Sequence, residues 1–129
     1  SVIGTNLTAN YRLVRAFDPL LRASDSARVV FVTSSVAQSH RAYWGAYAVS
    51  KAGLEALSNI YADEVEITPI KVNLLDPGGT RTAMRAKALP GENPKDLPAP
   101  SDVAKLAVEM LSPDYTPTGS TVLFRDWAA

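Results

Sequence analysis

The sequence predicts an α/β fold built on a parallel sheet, and three observations predict it. Residues 28–33, 70–75 and 121–124 form short apolar runs without alternation, as expected of strands covered on both faces. Between them lie longer segments whose apolar residues recur at helical spacing. Strand and helix thus alternate along the chain. That pattern calls for parallel strands joined by right-handed crossovers, with a ligand crevice beyond the carboxyl ends of the strands.

The first helical segment, residues 6–21, carries Leu7, Val14, Phe17 and Leu21 on one face and Ala9, Leu13, Ala16 and Leu20 on another. A helix apolar on two sides either lies wholly inside or packs on its sheet with one face and on a second subunit with the other. The β-branched run 28–33 follows the turn at Ser24-Asp25-Ser26 and stops at Ser34-Ser35. A polar loop over 38–45 leads into a second helix over 47–65, where Val49, Gly53, Ala56, Leu57, Ile60 and Tyr61 fall at helical spacing. The strand over 70–75 ends in Asp76-Pro77-Gly78-Gly79, the strongest turn signal of the chain. Residues 81–100 hold Pro90, Gly91, Pro94, Pro98 and Pro100, too many breakers for more than a short helix over 82–88, and predict a mobile flap. Ser101 is placed to cap a last amphipathic helix through Val103, Leu106, Ala107 and Met110, which Pro113 closes. The last strand runs over 121–124.

Bulk composition narrows the class. With 129 residues and 47% hydrophobic content, the chain can bury a core as one compact unit. Thirteen Lys plus Arg balance thirteen Asp plus Glu, so no net field favours nucleic acid or an anionic membrane surface. The absence of cysteine excludes a disulfide framework and any thiolate metal site. No apolar run approaches the ~20 residues of a membrane span, and no secretion signal opens the chain. The expectation is a soluble, cytoplasmic protein with neither nucleic acid nor membrane as a partner.

Polar residues just after the first two strands carry the informative chemistry. Ser34 ends the first strand, Tyr47 follows thirteen residues later, and Lys51 lies one helical turn beyond Tyr47 on the same face. Each has a plainer reading alone: a strand terminator, a half-buried aromatic, an exposed helix charge. Together with Val32-Thr33-Ser34-Ser35, Tyr47-Ala48-Val49-Ser50-Lys51-Ala52 and Asp76-Pro77-Gly78-Gly79-Thr80-Arg81-Thr82, the spacing resembles the short-chain dehydrogenase/reductase family. Asn6, in Thr5-Asn6-Leu7, matches that family's catalytic Asn, although an Asn near a helix start also serves as a cap.

The resemblance implies a Rossmann-type doubly wound parallel sheet, present here only as its C-terminal half, about three strands plus helices. It implies an oxidoreductase that transfers hydride between NAD or NADP and a small carbonyl or alcohol substrate. Reduction of a carbonyl by hydride needs a proton donor beside the developing alkoxide, and an unassisted phenol is a sluggish one at neutral pH. Tyr47 then acts as general acid and base, while the Lys51 ammonium stabilises the phenolate and holds the nicotinamide ribose. Ser34 orients the substrate oxygen, and Asn6 supports a proton relay. Only the family spacing to Tyr47 prefers Ser34 to Ser35. Pro77, Gly78, Thr80 and Thr82 are assigned to the cofactor's carboxamide and phosphate, where glycine lets the backbone come close; without the family these residues are a tight turn.

His40 reads as a surface residue, Tyr43 and Trp44 as either pocket wall or packing, and Arg81 and Arg85 as solvated charges or contacts for an anionic group. The flap from Met84 to Glu92 is similar to that of bacterial oxidoreductases. The family's Gly-rich cofactor-binding turn is absent among the seven glycines, so residues 1–129 are expected to be the C-terminal catalytic part of one domain whose N-terminal cofactor-binding half is not in this sequence. The helices over 6–21 and 47–65 match the segments that relatives pair between subunits, which implies a homodimer or homotetramer. A non-catalytic nucleotide-binding sensor or scaffold of the same fold is the alternative function.

Overall fold

The computed structural model describes all residues, 1–129. Three parallel strands, β1 (Arg28–Val32), β2 (Lys71–Asp76) and β3 (Thr121–Leu123), form one sheet in the order β1-β2-β3. Register runs from Arg28 opposite Lys71 to Val32 opposite Leu75, and from Leu74 opposite Thr121 to Asp76 opposite Leu123. A π-helical turn (Gly4–Thr8) leads into α1 (Ala9–Ala23) ahead of β1. Helices α2 (Val36–Ser39) and α3 (Gly45–Glu64) join β1 to β2. Helix α4 (Ala83–Ala88), a 3-10 turn (Pro94–Asp96) and α5 (Pro100–Met110) join β2 to β3, and α6 (Phe124–Trp127) ends the chain.

Strand residues alternate between two apolar layers, which is why the runs are continuous in sequence. Val29, Phe31, Val72 and Leu74 join Leu54, Tyr61 and Ala62 of α3 on one face, with Val14 and Leu21 of α1 packed behind. Val30, Leu75 and Val122 join Leu106 and Met110 of α5 and Phe124 on the other. The central strand is buried from Val72 through Asp76. Its one buried amide, Asn73, donates to the Pro117 carbonyl at 2.9 Å and accepts from the Ser120 amide at 3.1 Å, so it carries no unpaired group inside. Gly53 lets α3 approach the π-helical turn: a Cβ there would stand 2.8 Å from a Leu7 methyl.

Several sequence expectations change at the level of caps and short turns. Ser101 is not the N-cap of α5; Ala99 is, with Pro100 in the first turn, where its missing N–H costs nothing. The Ala99 amide donates instead to the Asp102 carboxylate at 3.3 Å. The loop expected over 38–45 begins inside α2, and α3 starts at Gly45, two residues early. The last strand stops at Leu123 because Phe124 turns into α6 and plugs the α5 layer. Of the two apolar faces of the first helix, Val14 and Leu21 reach the core, whereas Leu13, Phe17 and Leu20 are 51%, 50% and 66% exposed. Pro19 lies within α1 without ending it.

The segment expected to be a mobile flap is tied down at three points. The Arg81 amide donates to the Pro98 carbonyl at 2.9 Å, Arg85 pairs with both Glu92 oxygens, and Leu97 lies over Gly79.

Candidate active site

The carboxyl ends of β1 and β2 open onto a cleft of about 610 Å³. Ser34, Tyr47 and Lys51 all line it, as do Pro77, Gly78, Thr80 and Thr82 from beyond β2. Parallel strands place these groups together because both strands end on the same side of the sheet.

Tyr47 stands in the first turn of α3 and Lys51 one turn later. The Lys51 Nζ is 5.7 Å from the Tyr47 ring centroid and donates to the Val32 carbonyl at 2.8 Å. Burial lowers the Lys51 pKa from its ordinary 10.5, so the ammonium gives up its proton more readily than an exposed lysine does. Trp44 packs edge-on against Tyr47, with centroids 5.8 Å apart and planes at 64°. The Val36 amide donates to the Ser34 Oγ at 3.4 Å, which leaves the Ser34 hydroxyl proton for another acceptor. Ser35 also lines the cleft, but it is exposed and opens α2.

Asn6 lies outside the cleft lining, in the π-helical turn, a feature the helical period of residues 6–21 did not signal. Its Nδ2 donates to the Ser50 Oγ at 3.2 Å, and that hydroxyl donates to the Tyr47 carbonyl at 2.7 Å. The Asn6 carbonyl accepts from Asn10 Nδ2 at 2.8 Å. Asn6 is thus joined to the Tyr47 backbone through Ser50, which is fully buried.

Beyond β2, Gly78 has φ +65°, and a Cβ there would meet nothing within 4 Å, so the requirement for glycine is conformational. The buried Asp76 fixes this turn by accepting from the Gly78 amide at 2.9 Å. The Thr82 Oγ1 accepts from the Arg85 amide at 3.1 Å and caps α4.

The loop before Tyr47 holds two non-glycine residues in the left-handed region, His40 at φ 49° and Tyr43 at φ 70°. Each costs roughly 1–2 kcal/mol. Tyr43 is fully exposed and serves neither as pocket wall nor as packing, while Trp44 lines the cleft. His40 is exposed, as expected. Arg85 lines the cleft and is paired with Glu92 at 2.8 and 3.0 Å; that hydrogen bond raises the Arg85 pKa and lowers the Glu92 pKa.

Two residues escaped the sequence. Arg41 lines the cleft from the α2–α3 connection. Glu55 accepts from the buried Thr33 hydroxyl at 2.7 Å and from Gln38 Nε2 at 3.2 and 3.1 Å, tying the end of β1 and α2 to α3. Its position four residues after Lys51, on the same helix face, was the available signal.

Known proteins are similar to this chain in sequence and in fold. Residues 1–93 match the family model for short chain dehydrogenase. The uncharacterized oxidoreductase YciK of Escherichia coli K12 is 43% identical over 113 residues, which are 88% of this chain and 44% of that protein. A crystal structure from Escherichia coli CFT073, complexed with NADPH, superposes with TM-score 0.89 at 40% identity over 95% of this chain and 51% of that one. An uncharacterized NAD-dependent oxidoreductase of Mycobacterium tuberculosis CDC 1551 is 38% identical over 85 residues, 65% of this chain and 31% of its own length. The chain spans about half the length of the first two. With its three parallel strands and its cleft beyond their carboxyl ends, the chain belongs to the short-chain dehydrogenase family, as part of a Rossmann-like fold.

Proposed function

We propose that the protein carrying this chain is an NAD- or NADP-dependent oxidoreductase that interconverts a small-molecule carbonyl and its alcohol. The observation that carries this reading is the convergence of Ser34, Tyr47 and Lys51 on one cleft at the strand ends. The NADPH complex of one relative and the NAD dependence named for another support either nicotinamide cofactor.

The residues present fit the nicotinamide end of such a cofactor. Lys51 has donors beyond the one given to Val32, and Gly78 presents backbone to open space. Lys51 and Tyr47 hold the ribose, and Pro77, Gly78, Thr80 and Thr82 hold the carboxamide and phosphate side. The bound cofactor supplies or accepts the hydride. Tyr47 gives a proton to the substrate oxygen during reduction and takes it during oxidation, and the Ser34 hydroxyl donates to the same oxygen. Lys51 stabilises the phenolate and, with its lowered pKa, returns a proton to it. Asn6 acts in the proton relay behind Lys51 and, through Ser50, steadies the first turn of α3.

The exposed Tyr11, Leu13, Phe17 and Leu20 of α1, with Val49 and Ile60 of α3, support a homodimer or homotetramer formed through these helices. No helix is long and apolar enough to cross a membrane, and with the lack of cysteine this supports a cytoplasmic location.

The test is turnover of the full-length protein on carbonyl compounds with NADH and NADPH, beside Tyr47→Phe. The variant keeps cofactor affinity and loses at least ~100-fold in kcat. Equal turnover by the variant would remove Tyr47 from the chemistry.

A further inference from the structure

We propose that the cleft selects carbonyl substrates bearing a carboxylate, and that Arg41 holds it. This rests on the oxidoreductase reading above and names its substrate class. Three cations, Arg41, Lys51 and Arg85, line the cleft against one acid, Asp76. Asp76 is buried and engaged with the Gly78 amide, so its charge is turned to the turn it builds. Two of the cations are committed. Lys51 donates to the Val32 carbonyl beside Tyr47, and Arg85 is clamped by both oxygens of Glu92. Arg41 is in none of the chain's four ion pairs, and its side chain makes no hydrogen bond.

Left-handed residues flank Arg41, and the first of them, His40, is the C-cap of α2. His40, Arg41 and Tyr43 are all exposed, and of residues 40–44 Arg41 and Trp44 line the cleft. Trp44, Met84 and Leu89 add apolar wall to the same cleft, which suits a substrate with an apolar body besides its carbonyl and its anion. A single free guanidinium matches one carboxylate in bidentate geometry, whereas a phosphate dianion would call for a second free cation, and Arg85 is occupied.

Terephthalaldehydic acid and its methyl ester test this directly, since they share a carbonyl and a ring and differ in charge. With the full-length protein, kcat/KM for the acid exceeds that for the ester by ~10-fold or more, and raising the salt concentration narrows the gap. Arg41→Gln collapses the ratio through KM for the acid, and Arg41→Lys restores part of it. Equal kcat/KM for acid and ester overturns the proposal while leaving the oxidoreductase reading in place. A ratio untouched by Arg41→Gln, or a variant whose KM rises for NADPH instead of for the acid, overturns the assignment of Arg41. Turnover of neither aldehyde, by a protein that reduces other carbonyl compounds, overturns the proposal alone; no turnover of any carbonyl compound with either cofactor overturns the oxidoreductase reading with it.

Discussion

The two walls of the cleft are built to different standards. The wall from β1 and α3 is welded into the core: Ala48, Ser50, Leu54 and Ser58 of α3 are buried, and Glu55 bonds α3 to the end of β1 through the 2%-exposed Thr33. The wall from the β2 turn and α4 has no buried residue in its helix and depends on Thr82, Arg85–Glu92 and Leu97. The comparison teaches a division of labour. Ser34 and Tyr47, proposed to meet the reacting oxygen, stand on the rigid wall, whereas Pro77, Gly78, Thr80 and Thr82, proposed to meet the cofactor, stand on the wall with fewer buried supports.

Substitutions on each wall sharpen that contrast. The largest effect is expected at Lys51: Lys51→Met lowers kcat by ~100-fold or more and raises the cofactor KM, because one ammonium is proposed to serve both. Wild-type kcat/KM has an alkaline limb that falls below pH 10.5, the direction set by Lys51 burial; the charged form is lost as pH rises through the lowered pKa. A limb at or above that value would contradict the assignment.

Next comes the core beneath the rigid wall. Leu54 is 2% exposed, and Leu54→Ala costs about 2–5 kcal/mol, read as a lowered urea midpoint. Glu55→Ala strips the partner from a buried hydroxyl and loosens the segment holding Ser34, so kcat falls by ~10-fold with cofactor affinity kept; Glu55→Gln, which retains an acceptor, recovers part of it.

The smallest effect belongs to the outer wall. Glu92→Gln weakens the clamp on Arg85, raises KM for the carbonyl a few-fold and leaves kcat near wild type. Because Arg85 lowers the Glu92 pKa, the clamp is present above the ordinary 4.5 and is lost as pH falls through the lowered value. Loss of kcat in this variant would break the division between the walls.

The legible features and the hidden ones divide along the same physical line. Strands buried on both faces leave continuous apolar runs, so β1 and β2 were placed within a residue or so, and the Ser34, Tyr47 and Lys51 spacing needed only one strand end and one helical turn to bring them together. Helix α2 is four residues long, too short for any period to show. The left-handed His40 caps this unforeseen helix, and neither it nor the left-handed Tyr43 carries a sequence signal that places Arg41 at the cleft. The start of α5 was misplaced because a serine looks like a cap, whereas Pro100 had already fixed the first turn. Asn6 was singled out by its motif, yet the π-helical turn in which it lies left no periodic trace.

Tyr47 is proposed to protonate a carbonyl that receives hydride in this cleft. The direct measurement uses a nicotinamide cofactor deuterated at the hydride position, with the full-length protein and a carboxylated aldehyde, beside Tyr47→Phe. Deuterium in the alcohol product of the wild type, and at least ~100-fold slower label transfer by the variant with cofactor affinity retained, is the predicted result. Label transfer at the same rate in both proteins, or an alcohol without deuterium, would contradict it.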